Sequence, residues 1–240
     1  MLVIVASRWD RAPEALASRW ADQEVGILTP RDLSVAGWRQ HLGSMDSGTA
    51  VVERKLVQQR DITGVLTLLP RVVEQELVHI VPADRRYVAS EMTAFLLFWL
   101  SQLECPVLNR PTPTCLAGPN WRQEKWLQAA ARAGIPVRPL RRKTRPRGSG
   151  AAGPETEELF PESVTVTVIG KQLFGEADPG LRQRAQRLAE FAGVDLLAVR
   201  FSSSGDDAHF IGADTFPELS DDTLAGAVLE YLQGEPGRRP

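Results

Sequence analysis

Apolar residues fall along this chain in short extended runs and in longer helical stripes, a pattern that predicts a layered α/β protein. Near the start, LVIVAS is a compact apolar run rich in β-branched residues, suited to a strand buried on both faces. From Asp10 to Trp20, Ala12, Leu16 and Trp20 recur at helical spacing, with Pro13 in the first turn. EVGILTP reads as a second strand closed by Pro30, and TAVVERKLV and GVLTLLP as two more. DRRYVASEMTAFLLFWLSQLE predicts the dominant helix. Its second half is apolar nearly all round, so it should lie under other elements. PVLNRP is a strand that stops at Pro111, and GPNWRQEKWLQAAARAGIPV a helix with Asn120 as N-cap and Gly134 and Pro136 as its stop.

The pattern then breaks. RPLRRKTRPRGSGAAGPETEELFPES has no large apolar residue between Leu140 and Leu159 and reads as a mobile, solvated loop. Alternation returns in SVTVTVIGKQLFGEA, where Val164, Val166 and Val168 alternate with Thr165 and Thr167 and Gly170-Lys171 suits a tight turn. PGLRQRAQRLAEFAGV is an amphipathic helix with Leu181, Ala185, Leu188 and Ala192 on one face. LLAVRFSSSGDDAHFIGADTFPEL reads as two strands joined by a polar turn. DDTLAGAVLEYLQG is a final helix, and EPGRRP a frayed tail.

Composition narrows the function classes. The 240 residues are 43% hydrophobic and 24% charged, which suits a globular protein with a sizeable core. A formal net charge of -2 provides no global field toward nucleic acid or anionic membrane. MTAFLLFWL is too short to span a bilayer, and the N-terminus lacks the parts of a signal peptide. The two cysteines, Cys105 and Cys115, form no CxxC; free thiols suit a reducing cytoplasm. His41, His79 and His209 have no partner at metal-ligand spacing. GSGAAG, Gly148 to Gly153, matches GxGxxG but lacks the strand before it and the helix after it that a dinucleotide site requires. SSSGDD reads as a turn rather than a serine nucleophile cluster.

Two stretches carry a family likeness. CPVLNRPTPTCLAGPNWRQEKWLQAAARAGIPV offers Asn109, Lys125, Gly134, Ile135, Pro136 and Val137 in order. VTVTVIGKQLFG is followed by an amphipathic helix, VDLLAVRF, a hairpin and FIGADTFPEL. In motif and order of elements the chain resembles the ATP-grasp superfamily, in particular its RimK-like carboxylate–amine ligases. That resemblance implies an N-terminal Rossmann-like pre-ATP-grasp layer (1–112), a linking helix region (113–140), a flexible loop (141–163) and an α+β C-terminal remnant (164–234).

The departures from the family pattern bear on chemistry. In such ligases three oxygen ligands on the hairpin hold Mg²⁺ against the phosphates of ATP. The matching positions here are Arg200, Gly212 and Asp214, so two of the three ligands are lost and a fixed cation takes the place of one. Asp214 is then expected to pair with Arg200. The family also inserts a nucleotide-covering domain where residues 141–163 stand, too few for a folded domain of about 50 residues or more.

These features predict a degenerate, truncated ATP-grasp-like protein with no catalytic residues, no metal site and no cofactor. It would act as a binding or scaffolding subunit for a protein or peptide, in a homo- or hetero-oligomer, without nucleic acid or membrane. Candidate partner contacts are Arg110, Trp121, Lys125 and Lys171. Of the six tryptophans, Trp99 and Trp126 are expected in the core, and Trp9, Trp38 and Trp121 on the surface. The alternative is a minimal or partner-completed ATP-dependent peptide ligase, with ATP and Mg²⁺ held through Asp214, Asp207 or Asp206.

Overall fold

The computed structural model describes residues 1–40, 48–138, 162–205 and 207–234. The loop predicted at 141–163 up to residue 161, the Gly148–Gly153 match, His41, Asp206 and the tail from Glu235 lie outside these residues. The chain forms two compact units, Met1–Asn120 with Val194–Leu196 and Thr215–Pro240, and Trp121–Gly193 with Leu197–Asp214.

In the first unit, β1 (Leu2–Val5), β2 (Val25–Leu28), β5 (Gly64–Thr67) and β6 (Val107–Leu108) form a parallel sheet in the order β2-β1-β5-β6. Leu2 stands beside Val25 on one side and Gly64 on the other. Every residue of β1 is buried, as its unbroken apolar run requires. Helix α1 (Ala12–Arg19) packs against β2, and α5 (Asp222–Gln233) packs against β5. The α5 contact is close enough to require glycine: a Cβ at Gly64 would lie 2.7 Å from the Leu232 carbonyl oxygen. Chain order places α5 in the C-terminal part, yet its apolar face is spent in the first unit. Helix α2 (Arg85–Gln102) drives Leu96, Trp99 and Leu100 into a core with Val3, Val5, Leu28, Val65 and Leu116.

Two local features differ from the pattern-based expectation. TAVVERKLV is a hairpin of β3 (Thr49–Val52) and β4 (Lys55–Gln58), not one strand. Its two-residue turn is Glu53-Arg54, both at positive φ (49° and 62°), a geometry usually marked by Asn or Gly. Buried Asp32 holds the turn: its carboxylate accepts from the Arg54 N–H at 2.9 Å and from the Thr29 N–H and hydroxyl, both at 2.9 Å. Trp38 is half-buried, donates to the Asp32 carbonyl at 2.9 Å and sets its ring edgewise against Phe95 and Trp99.

In the second unit, β7 (Val164–Ile169), β8 (Gln172–Phe174), β9 (Leu196–Phe201) and β10 (Phe210–Asp214) form a sheet in the order β10-β9-β7-β8. Helix α3 (Gln123–Arg132) packs against β10, α4 (Pro179–Ala192) against β7, and the two helices touch. Leu181, Ala185 and Leu188 of α4 are buried as expected. Ala189 completes the buried face, while Ala192 is only half-buried. The start of α3 corrects the sequence-based cap. Arg122, extended at φ -71° and ψ 163°, precedes the first helical residue, and no side chain caps the helix. Trp121 packs on Trp126 with ring centroids 4.8 Å apart, one residue before the cap and four inside the helix. This hydrophobic staple holds the chain extended through residues 121–122, so Asn120 falls too early to cap. Gly134, at φ 71°, closes the helix as predicted.

Candidate functional site

The β9–β10 hairpin is where the family likeness puts chemistry, and its register follows from its burial pattern. Leu197, Val199 and Phe201 point into the core, which leaves Ala198 and Arg200 on the other face of β9. Across the ladder Arg200 faces Gly212, Val199 faces Ala213 and Ala198 faces Asp214, with an irregularity between Phe210 and Gly212. A side-chain bond from outside the hairpin holds that bulge: the Gln123 amide nitrogen donates to the Ile211 carbonyl. The Phe210 N–H donates to the Pro136 carbonyl at 2.8 Å, which brings the Gly-Ile-Pro-Val segment alongside β10.

The Arg200–Gly212 pair is therefore a real cross-strand pair. A Cβ at Gly212 would lie 3.7 Å from Arg200 Nη2 and 3.6 Å from Gln123 Oε1, so the guanidinium reaches over the backbone of the position where a ligand side chain would start. Asp214 is exposed and stands opposite Ala198, diagonal to Arg200 rather than facing it. Asp207 is exposed in the connection between the strands. Among the described residues no group of three or more His, Cys, Asp or Glu side chains converges as a metal site. A fixed cation over a glycine, with one carboxylate one pair away, does not fit Mg²⁺, which demands oxygen ligands in near-octahedral array. The connection itself closes as a turn, with the Ser202 N–H donating to the His209 carbonyl at 2.9 Å and the His209 N–H to the Ser202 hydroxyl at 3.0 Å.

The remaining candidates fall in different surroundings. Arg110 spends its guanidinium inside the first unit, donating to the carbonyls of Leu103 and Cys105, each at 3.1 Å. Asn109, from the same segment, is buried and clamps the backbone at Asp195 and Leu196, a role invisible in its motif. In the second unit Lys125 and Trp121 come together, with the ammonium 5.4 Å from the ring centroid. Lys171 is exposed in the β7–β8 turn beside Gly170. Gln123 is the neighbour of Gly212 that spacing alone missed; a Gln in a first helical turn carries no distinctive signal. Both cysteines are free and buried, and burial pushes the Cys105 thiol up to about 11 against the opposing field of Arg110. Burial raises the Cys115 thiol as well.

The fold these sheets, helices and hairpin make is shared with solved ATP-grasp ligases. The solved structures it is similar to include the macrocyclase MdnC from Microcystis aeruginosa MRC, bound with precursor peptide MdnA. That match has a TM-score of 0.68 at 10% identity, over 98% of this chain and 100% of that one. The ATP-grasp ligase PsnB, complexed with minimal precursor, Mg and ADP, matches at a TM-score of 0.69 and 14% identity, over 97% and 98%. A RimK domain ATP-grasp protein from Sphaerobacter thermophilus DSM 20745 matches at 0.51 and 14%, over 97% and 99%. No family model matches the sequence, and no curated protein does. Among the described residues no helix is long and apolar enough to cross a membrane.

Proposed function

We propose that this chain is a non-catalytic ATP-grasp-like protein that binds a peptide or protein partner and acts as a binding or scaffolding subunit. The observation that carries this reading is the Arg200–Gly212 pair at the metal-bearing positions of the hairpin. Mg²⁺ placed there would meet a guanidinium held close by its own ladder, a like-charge encounter that water screens only partly. The short chain between Arg132 and Val164 supports a second loss, that of the domain that covers the nucleotide, because a folded domain requires about 50 residues or more. The parallel β2-β1-β5-β6 layer fits the Rossmann-like part that precedes an ATP-grasp domain. The peptide partner is supported by MdnC and PsnB, both solved with precursor peptides. Two buried free thiols support a cytoplasmic setting.

Asp214 favours one other reading, a ligase completed by a partner chain, because it keeps a carboxylate on the hairpin. PsnB was solved with Mg and ADP, the pair such a ligase would use. Calorimetry and thermal melting with Mg·ATP separate the two. Ligand at one hundred times its Kd stabilises by about 2.7 kcal/mol, so micromolar binding would be plain as a raised Tm. The expected result is no shift; tight Mg·ATP binding would sink the non-catalytic reading.

A further inference from the structure

The carboxyl ends of the parallel strands in the first unit gather positive charge from three separate loops. Arg8 follows β1, Arg31 follows β2, and His79 and Arg85 lie on the segment after β5. The Ser34 hydroxyl and His79 Nε2 lie 2.8 Å apart, which ties the loop after β2 to the segment after β5. Arg85 braces that segment, donating from Nε to the Ile80 carbonyl at 2.9 Å and from Nη2 to the Val78 carbonyl at 3.1 Å. The Arg8 guanidinium lies 4.1 Å from the Trp9 ring centroid, and its Nε is buried without a hydrogen-bond partner. Burial first, and then the charges of Arg31, Arg8 and Arg85, hold the His79 imidazole below its ordinary value.

Among the described residues Arg8, Arg31 and Arg85 form no salt bridge. The pairs Arg19–Asp222 and Arg60–Asp61 involve none of these three arginines. Of the carboxylates beside them in sequence, Asp84 is exposed, Asp10 accepts from the Ala12 N–H at 2.9 Å, and buried Asp32 is held by Thr29 and the Arg54 N–H, while Glu76 is 2% exposed and turned inward. It accepts from the Ser7 hydroxyl and, at 3.4 Å, from the Arg8 backbone N–H. The same surface carries apolar side chains that the core does not use. Trp9, Val78, Val81 and Tyr87 are four of the seven large hydrophobic residues exposed among the described residues, at 67%, 52%, 64% and 69%. A chain with a net charge of -2 has no general excess of cations, so this concentration is local.

We infer that this face, built on Arg8, Trp9, Arg31, Val78 and Arg85, is the docking surface for an acidic peptide that carries apolar side chains. Exposed Trp and Tyr beside Arg is the composition from which binding hot spots are made. Guanidinium groups take carboxylates in two-pronged bonds, while the apolar residues supply contact area that a free anion would leave unused. Open charge on one side draws an acidic segment in and sets its register more than its final affinity. The inference rests on the peptide-partner reading above and adds the surface and the charge of the partner.

The test uses the full chain and two fluorescein-labelled peptides read by anisotropy, one of Glu, Asp, Leu and Phe, the other with Lys at every acidic position. The acidic peptide is expected to bind at least about tenfold more tightly, with the preference shrinking as salt rises from about 0.05 to about 0.3 M. Arg8→Gln with Arg31→Gln should weaken it about tenfold, the combined loss of a half-buried and an exposed charge contact. Arg31→Glu alone, at an exposed position, guards against a folding defect from Arg8 and should weaken it similarly. Trp9→Ala should weaken both peptides. The matched loss of two remote charges on the amino side of the same sheet, Arg19→Gln before β2 with Arg60→Gln before β5, should change nothing. Equal affinity for the two peptides, or equal loss in the remote variant, overturns the inference. So does binding of inorganic phosphate or a short RNA in place of peptide. Acidic-peptide binding that ignores the Arg8, Trp9 and Arg31 variants removes this surface and leaves the peptide-partner reading standing. Tight Mg·ATP binding would instead remove the non-catalytic reading and leave this surface intact.

Discussion

Replacing Asn109 by Ala should destabilise the first unit severely, and the structure sets the scale. Asn109 is 2% exposed. Its carbonyl oxygen accepts from the Leu196 N–H at 2.7 Å and the Asp195 N–H at 3.0 Å, and its amide donates to the Leu196 carbonyl at 2.8 Å. The side chain thus pairs with Leu196 as a neighbouring strand would. Truncation leaves both Leu196 backbone groups buried without partners, and each such orphan costs about 1–3 kcal/mol. The Asp195 N–H is half-buried and can turn to water, so it adds little. The loss comes to about 3–4 kcal/mol, and at about 2–4 °C per kcal/mol for a chain of this size Tm should fall by about 10 °C. Thermal and urea unfolding followed by circular dichroism measure it. Asn109→Asp provides an internal check. Its carboxylate repels the Leu196 carbonyl at neutral pH, while the protonated acid can donate to it, so that variant should regain stability as pH falls. A fall in Tm of only a degree or two for Asn109→Ala would show that these three bonds do not carry the local structure.

Two further outcomes are expected. The double change Arg200→Asp with Gly212→Glu should restore neither Mg·ATP turnover nor stability, although Gly212 has room for a Cβ. Carboxylates on facing positions about 5 Å apart, beside Asp214, repel by about 1–3 kcal/mol, so Tm should drop and recover partly with Mg²⁺; ADP release by the double variant but not by the parent would contradict this. Tyr231 is raised well above an ordinary phenol by burial, and then by its hydrogen bond to Asp195 at 2.7 Å and that residue's charge. A raised folded value means the native state keeps its proton after the unfolded state has lost it. Stability from this group is therefore full below the unfolded value of about 10 and falls as pH rises above it. Tyr231→Phe should remove that part of the alkaline loss, and an unchanged pH profile would show that Tyr231 is not the group responsible.

Much of the architecture was legible in order and pattern. LVIV had to be a buried strand because it has no polar face to give to water. The two strands and polar turn of the β9–β10 hairpin were legible in LLAVRFSSSGDDAHFIGADTFPEL, while the register that sets Arg200 opposite Gly212 comes from their pairing. The helix over Arg85–Gln102 followed from its length and apolar content.

Other features depended on contacts between residues distant in sequence, which local pattern does not encode. The Glu53-Arg54 turn lacks the usual residues because Asp32 supplies the bond that holds it. The start of α3 depends on one tryptophan packing on another across its first turn, a contact the preference of Asn120 for a cap does not reveal. Asn109 looked like part of a ligase motif and proved to be a backbone clamp, since its partners lie more than eighty positions away. The cationic face of Arg8, Arg31 and Arg85 is scattered among ordinary charges in the sequence. It exists because parallel strands deliver their loops to one edge of the sheet. Sequence determined which segments could be strands and helices. Tertiary structure decided which side chains meet, because that depends on how the buried faces pack against one another.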